Sequence, residues 1–144
     1  MPQTINKIGF ELIKHFEGFS STPYKCSGGR LTVGYGHLIK PDENFTVITK
    51  ELASEILLLD ITSAENTVNS LVKVELNRNQ FSALVSFVFN LGHGNFRSST
   101  LLTVINANCH LDVPSELIKW RLASGSVLKG LLKRRIAEAS LYLS

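Results

Sequence analysis

His15-Phe16-Glu17-Gly18-Phe19, followed by Tyr24-Lys25-Cys26-Ser27-Gly28-Gly29-Arg30-Leu31-Thr32-Val33-Gly34-Tyr35-Gly36-His37, is the stretch whose reading decides this fold. Upstream of it, Ile5, Ile8, Leu12 and Phe16 recur at helical spacing and predict a first helix from about Asn6 to Phe16. Gly18 ends that helix, because glycine accepts the left-handed backbone that closes a helix C-terminus. The pattern then changes. Residues 23–37 are rich in Gly, Tyr, Thr and Val and predict a small antiparallel hairpin. Strand parity makes this reading testable. Cys26 and Thr32 face each other only across an odd loop such as Gly28-Gly29-Arg30, whereas a two-residue Gly28-Gly29 turn pairs Cys26 with Leu31.

A lone carboxyl therefore sits where an apolar helical run meets a Gly-rich hairpin. Between Phe16 and Phe19, Glu17 is expected to be partly desolvated. Desolvation disfavours the charged form of a carboxyl and lets it remain protonated as a general acid. Cleavage of a glycosidic bond requires such a group, because the leaving oxygen must receive a proton. A Glu before a Gly at a helix end is more often a solvated surface residue, so the assignment rests on the wider pattern.

That pattern joins Glu17, Cys26 and Thr32 to the run Val33-Gly34-Tyr35-Gly36-His37. It resembles the catalytic segment of the phage-type lysozymes, the muramidase endolysins of glycoside hydrolase family 24, whose members carry Asp or Cys at the middle position. Three further segments resemble the same family in the same order. The run from Asn79 to Gly92 looks like its central helix, and Ser99-Thr100-Leu101-Leu102 like the start of the next one. Trp120 with Gly130 to Glu138 resembles its C-terminal pattern. Four segments in register are far more specific than one short motif.

The resemblance implies an α+β, lysozyme-like fold: a small N-terminal hairpin lobe, a long joining helix, a larger all-helical lobe and a cleft between them. It implies hydrolysis of the β-1,4 bond between N-acetylmuramic acid and N-acetylglucosamine of bacterial peptidoglycan, with inversion. Glu17 is then the general acid, and Cys26 and Thr32 position or activate the attacking water. A free thiol is mostly neutral at pH 7. Cys26 therefore either holds the water through a weak hydrogen bond or acts as a thiolate base, and the sequence leaves both open. The Thr32 hydroxyl both donates and accepts. His37, Leu38, Phe89 and Thr100 fall where the family contacts sugar. On residue type alone His37 is a structural hydrogen-bonder, Phe89 is core and Thr100 begins a helix. No cofactor and no metal is implied.

Elsewhere the order of elements is helix, hairpin, then helices only, which defines an α+β class with segregated elements. Pro41-Asp42-Glu43-Asn44 marks a loop. Thr49 is expected to cap a long helix to about Val72, with Leu52, Ile56, Leu59 and Ala64 turned inward. Asn77 with Gln80 three residues on predicts an N-cap with a reciprocal partner. The helix it opens is apolar nearly all round and is expected at the centre of its lobe, ending at Gly92 or Gly94. Shorter helices are expected near 99–107 and 114–123. The last, from about Leu128 to Leu143, carries a stripe of Leu128, Leu132, Ile136, Ala139 and Leu143. Arg134 and Arg135 lie within helical reach of Glu138 and read as structural, with a place for one of them facing the cleft left open. Trp120 reads as core.

A chain of 144 residues with 44% hydrophobic content suits one catalytic domain, 1–144, in two lobes without a separate wall-binding module. Its mean hydropathy of +0.11 prompts a search for membrane spans, but no apolar run approaches the roughly 18–20 residues needed. The stretch from Met1 to Lys7 does not read as a signal peptide. The expectation is a monomer that is not inserted in a membrane. It would be held in the host cytoplasm until a holin-type protein releases it to the periplasm and wall. A net charge of +3 suits weak attraction to an anionic polymer rather than nucleic-acid binding. Cys26 and Cys109 form no disulfide framework or metal spacing, and Cys109 reads as a small buried hydrophobe. Two rivals stand beside the lysozyme reading. One is a zinc-dependent peptidoglycan amidase using His15, His37, His93, His110 and the cysteines, none of which shows close metal spacing. The other is an inactive wall-binding protein on a lysozyme scaffold, which the unusual Cys26 keeps in view.

Overall fold

The computed structural model describes residues 2–26, 28–123 and 125–144. Ser27, part of the decisive stretch, lies outside them. The chain forms two compact units, Lys14–Thr62 and the combination of Met1–Ile13 with Ser63–Ser144.

The Lys14–Thr62 unit begins with the end of helix α1 (Lys7–Glu17), which Gly18 closes at φ 71°. Strands β1 (Ser20–Lys25), β2 (Leu31–Gly34) and β3 (His37–Leu38) follow as an antiparallel sheet in the order β1-β2-β3. The expected hairpin thus gains a third strand. Pro23 lies in β1, an edge strand, where a missing N–H costs no central ladder bond. The register shifts between Ser20 and Tyr24, and Tyr24 then pairs with Thr32 and Lys25 with Leu31.

The Cys26 N–H donates to the Arg30 carbonyl at 2.9 Å, which pairs these two residues across the hairpin. An odd number of residues separates Cys26 from Arg30, as the parity argument requires, but Thr32 pairs with Tyr24 and does not face Cys26 directly. Cys26 consequently stands opposite Arg30, and shares a sheet face with Thr32 through the alternation of the pleat.

Helix α2 (Lys50–Leu71) opens with the Leu52 N–H donating to Thr49 Oγ1 at 3.1 Å, the expected cap. Its inward face differs from the expected one. Ala53, Leu57, Ile61, Ala64 and Val68 are buried, whereas Leu52 and Leu59 are 40% and 75% exposed. The run Ile56-Leu57-Leu58-Leu59 offers an apolar side chain at every angle, so periodicity fixed the helix but not its phase.

In the other unit, Asn77 caps α3 (Arg78–Leu91) with the full reciprocal box. The Gln80 N–H donates to Asn77 Oδ1 at 2.7 Å and the Asn77 N–H to Gln80 Oε1 at 2.8 Å. Residues Phe81 to Val88 are all buried, so α3 is central to this unit. Gly92, at φ 94°, ends it. Then come α4 (His93–Arg97), α5 (Thr100–Asn106), a 3-10 turn at His110–Asp112, α6 (Val113–Ile118), and α7 (Lys129–Leu143) packed on α3 and α6.

This unit is not all helical. Strands β4 (Leu122–Ala123) and β5 (Ser126–Val127) form a two-stranded hairpin where the helix near 114–123 was expected to continue. Gly125 at φ 82° supplies the positive φ its tight turn needs. Among the described residues no helix is long and apolar enough to cross a membrane.

Helix α7 overturns most of its expected stripe, of which Ala139 is buried as expected. Leu128, Ile136 and Leu143 are 48%, 51% and 61% exposed, while Arg134, Arg135, Glu138, Ala139, Leu141 and Tyr142 are buried. The buried charges pair with one another. Glu138 accepts from Ser86 Oγ at 2.6 Å, Arg135 Nη2 at 3.0 Å and Arg134 Nε at 3.4 Å. Arg135 Nε stands 2.7 Å from Glu138 Oε1, an ion contact too far off the N–H axis for a hydrogen bond. The guanidinium also lies 5.1 Å from the centre of the Phe87 ring. Burial pushes Glu138 upward and Arg135 downward from their usual pKa values, and the opposing charges work against both shifts. A hydrophobicity pattern cannot see such a face, because it scores a paired charge as though it were solvated.

Candidate active site

Glu17 is the last residue of α1 and is half-buried. Its carboxyl lies directly over Gly36, where a β-carbon would come within 2.8 Å of Glu17 Oε1. Gly36 also has φ 77°, a conformation costly for other residues. Its companion Gly34, at φ 67°, fits against Ala53 and Ile48, with hypothetical Cβ contacts of 3.1 and 3.2 Å. The two glycines thus do different jobs: Gly34 seats the β2–β3 turn on the start of α2, and Gly36 makes room for the carboxyl. Phe19 and Tyr35 pack at 5.4 Å between ring centres, with the Lys14 ammonium 5.3 Å from Tyr35 and that of Lys50 5.7 Å from Phe19. These contacts fasten the end of α1 to the turn.

Thr32 is buried on the central strand, and its hydroxyl donates to the Tyr24 carbonyl at 3.3 Å. This bond is long, and the oxygen keeps its accepting capacity. Cys26 is a free, half-buried thiol at the end of β1. Leu38, on β3, is 40% exposed.

His37 is placed differently from a sugar contact. It is only 7% exposed, and both its ring nitrogens meet carboxylates: Nδ1 lies 2.7 Å from Asp60 Oδ2 and Nε2 2.9 Å from Glu43 Oε1. It braces β3 to the 43–45 loop and to α2, and neither nitrogen is left for a ligand. Burial alone would lower its pKa, but the bonds and charges of Glu43 and Asp60 outweigh it and hold His37 above its usual value. The hydrogen bond from the Lys40 N–H, followed by that of His37, lowers Glu43. The sequence carried no local signal for this trio, since Asp60 lies 23 positions from His37.

Phe89 and Thr100 belong to the other unit. Phe89 is half-buried near the end of α3. Thr100 is exposed at the first position of α5, just after Ser99, whose Oγ accepts from the Leu102 N–H at 3.0 Å. Trp120 is half-buried and meets Phe87 edge-on at 5.6 Å. Cys109 is exposed, not buried as expected. It follows Asn108, a non-glycine residue at φ 59°, in the turn that leaves α5, and turns lie at the surface.

The histidines of the amidase reading are dispersed among separate partners. His93 bonds Thr67 at 2.9 Å, His110 bonds Tyr142 at 2.7 Å, and His15 packs on Phe16. Among the described residues no group of three His, Cys, Asp or Glu side chains is arranged to hold a metal ion.

Comparison with known proteins gives the family. The family model described as phage lysozyme matches residues 14–138, and the chain belongs to that family. It is 39% identical to an endolysin of Acyrthosiphon pisum secondary endosymbiont phage 1, over 97% of this chain and 98% of the relative. It is also 39% identical to an endolysin of Bacillus phage B103, again over 97% of this chain, but spans only 54% of that longer relative. Among solved structures it is similar to the muramidase domain of SpmX from Asticaccaulis excentricus, with a TM-score of 0.90 and 36% identity over 99% of each chain.

Proposed function

We propose that this chain is a lysozyme that hydrolyses the β-1,4 bond between N-acetylmuramic acid and N-acetylglucosamine in bacterial peptidoglycan. The observation that carries this reading is the Glu17 carboxyl, half-buried at the end of α1 and resting over Gly36. A carboxyl held in a fixed place can deliver its proton to a leaving oxygen in line with the developing charge. Cys26 and Thr32 act on the attacking water at the opposite face of the sugar, in an inverting displacement. The Thr32 hydroxyl, whose oxygen can accept while its proton points at the Tyr24 carbonyl, holds that water. Cys26 acts on the same water from the shared sheet face. Leu38, Phe89 and Thr100 contact the glycan. His37 has a different part: it sets the β3 strand that carries Leu38. The similarity to endolysins and to a muramidase domain supports this substrate and a role in host-cell lysis.

The test is a product assay on purified peptidoglycan. New reducing sugar ends are the expected product; free amino groups would indicate an amidase, and anhydro-sugar ends a transglycosylase. Glu17→Gln preserves shape but removes the proton, and should lower the rate by at least about 100-fold with the fold intact. A folded Glu17→Gln protein near full activity would overturn the assignment.

A further inference from the structure

The amide of Asn90 is held in one orientation by a buried charge. Asn90 is exposed at the end of α3, beside Phe89. Its Oδ1 accepts from Arg135 Nη2 at 2.9 Å. Arginine has donors only, so the oxygen must face inward and the NH2 outward, whatever else surrounds the side chain. Arg135 cannot turn away to release it. The guanidinium is fully buried, shares Nη2 with Glu138 Oε2 at 3.0 Å and stacks over Phe87, while Ser86 Oγ anchors the same carboxylate oxygen at 2.6 Å. An exposed asparagine on a helix end ordinarily rotates and flips freely. This one is tied to a core charge cluster, and its Nδ2 has no partner among the described residues. Fixing an exposed amide in this way pre-organises two hydrogen-bond donors for a ligand.

We infer that Asn90 presents its NH2 to an acceptor oxygen of the glycan, an acetamido carbonyl or a hydroxyl, and that Arg135 is the positioning residue that aims it. The inference rests on the proposed lysozyme reading, which places the adjacent Phe89 at the sugar. Such a contact acts on binding and leaves the proton chemistry of Glu17 alone. It should therefore appear in KM rather than kcat.

The experiment uses soluble peptidoglycan fragments and the reducing-end assay. Asn90→Asp keeps the shape and retains an oxygen for Arg135, now as an ion pair, but turns the outward donors into an acceptor. KM should rise about three- to ten-fold, the worth of one hydrogen bond, with kcat changed less than about two-fold and Tm not lowered. Arg135→Lys tests the positioning. Combined with Asn90→Ala it should add nothing to the KM change that Asn90→Ala causes alone. An unchanged KM in Asn90→Asp, or additive effects in the double variant, would overturn the inference while leaving the lysozyme reading standing. A wild-type protein that releases no reducing ends would instead overturn the reading on which it rests.

Discussion

Replacing Glu138 by Gln should destabilise the protein by about 3 kcal/mol, the lower end of the cost of breaking a buried ion pair by removing one partner. The substitution keeps volume and one acceptor oxygen. Glu138 is completely buried and binds Ser86 at 2.6 Å and two guanidiniums, at 3.0 and 3.4 Å. In the variant, the NH2 group meets Arg135 Nε at the Oε1 position, or Arg135 Nη2 and Arg134 Nε at the Oε2 position, and buried donors then oppose one another. Arg135, itself buried, loses its carboxylate. Against a total stability of roughly 5–15 kcal/mol such a loss is large. At about 3–4 °C per kcal/mol for a chain of this length, Tm should fall by roughly 10 °C. Urea unfolding followed by far-UV circular dichroism measures it, with an unchanged m-value showing that the unfolded state is the same. The double variant Glu138→Gln with Arg135→Met removes the stranded cation and should recover part of the loss. A Glu138→Gln protein within about 0.5 kcal/mol of wild type would refute the view that charge pairing holds this face of α7 in the core.

Three other outcomes are expected. Gly36→Ala places a β-carbon 2.8 Å from Glu17 Oε1 and forces φ 77° on alanine. It should cost only about 1–2 kcal/mol of stability but lower peptidoglycan hydrolysis about 100-fold by displacing the carboxyl; equal small losses in both would refute the link. Cys26→Asp should retain substantial activity and Cys26→Ala lose most of it. Because Cys109 is exposed, alkylation is read in a Cys109→Ser background, where it should inactivate the protein with Cys26 but spare Cys26→Asp. The His37 brace should be pH-dependent. His37 is raised above 6.5, so its contribution is complete below pH 6.5 and is lost as pH rises through the higher folded value. Glu43 is lowered from 4.5, so its contribution is complete above pH 4.5 and is lost as pH falls through the lower folded value. Tm measured across pH should therefore show the brace strongest between these limits, and His37→Gln should flatten the dependence; an unchanged profile in that variant would count against the brace.

What the sequence determined by itself was whatever rests on neighbours along the chain. The Thr49 cap, the Asn77–Gln80 box and the stop at Gly18 each involve residues within a turn of one another, so the string of residue types carries them, whereas it left the end of α3 open between Gly92 and Gly94. Pleat parity joined to the family pattern carries the odd hairpin spacing, although the register slipped so that Thr32 pairs with Tyr24. Glu17, Cys26 and Thr32 were singled out because their spacing along one short segment carries the family pattern, a property of sequence. Only the tertiary structure decided the remainder. It chose Leu57 over Leu59 for the inside of α2, since an all-apolar run has no phase until something packs against it. It turned the charged face of α7 inward, because Ser86, 52 positions from Glu138, was there to receive it. It made His37 a brace by bringing Asp60 to its ring, and it tied Asn90 to Arg135 across 45 positions. The physical division is between interactions whose partners are fixed by backbone geometry within a few residues and those whose partners exist only once the chain has folded.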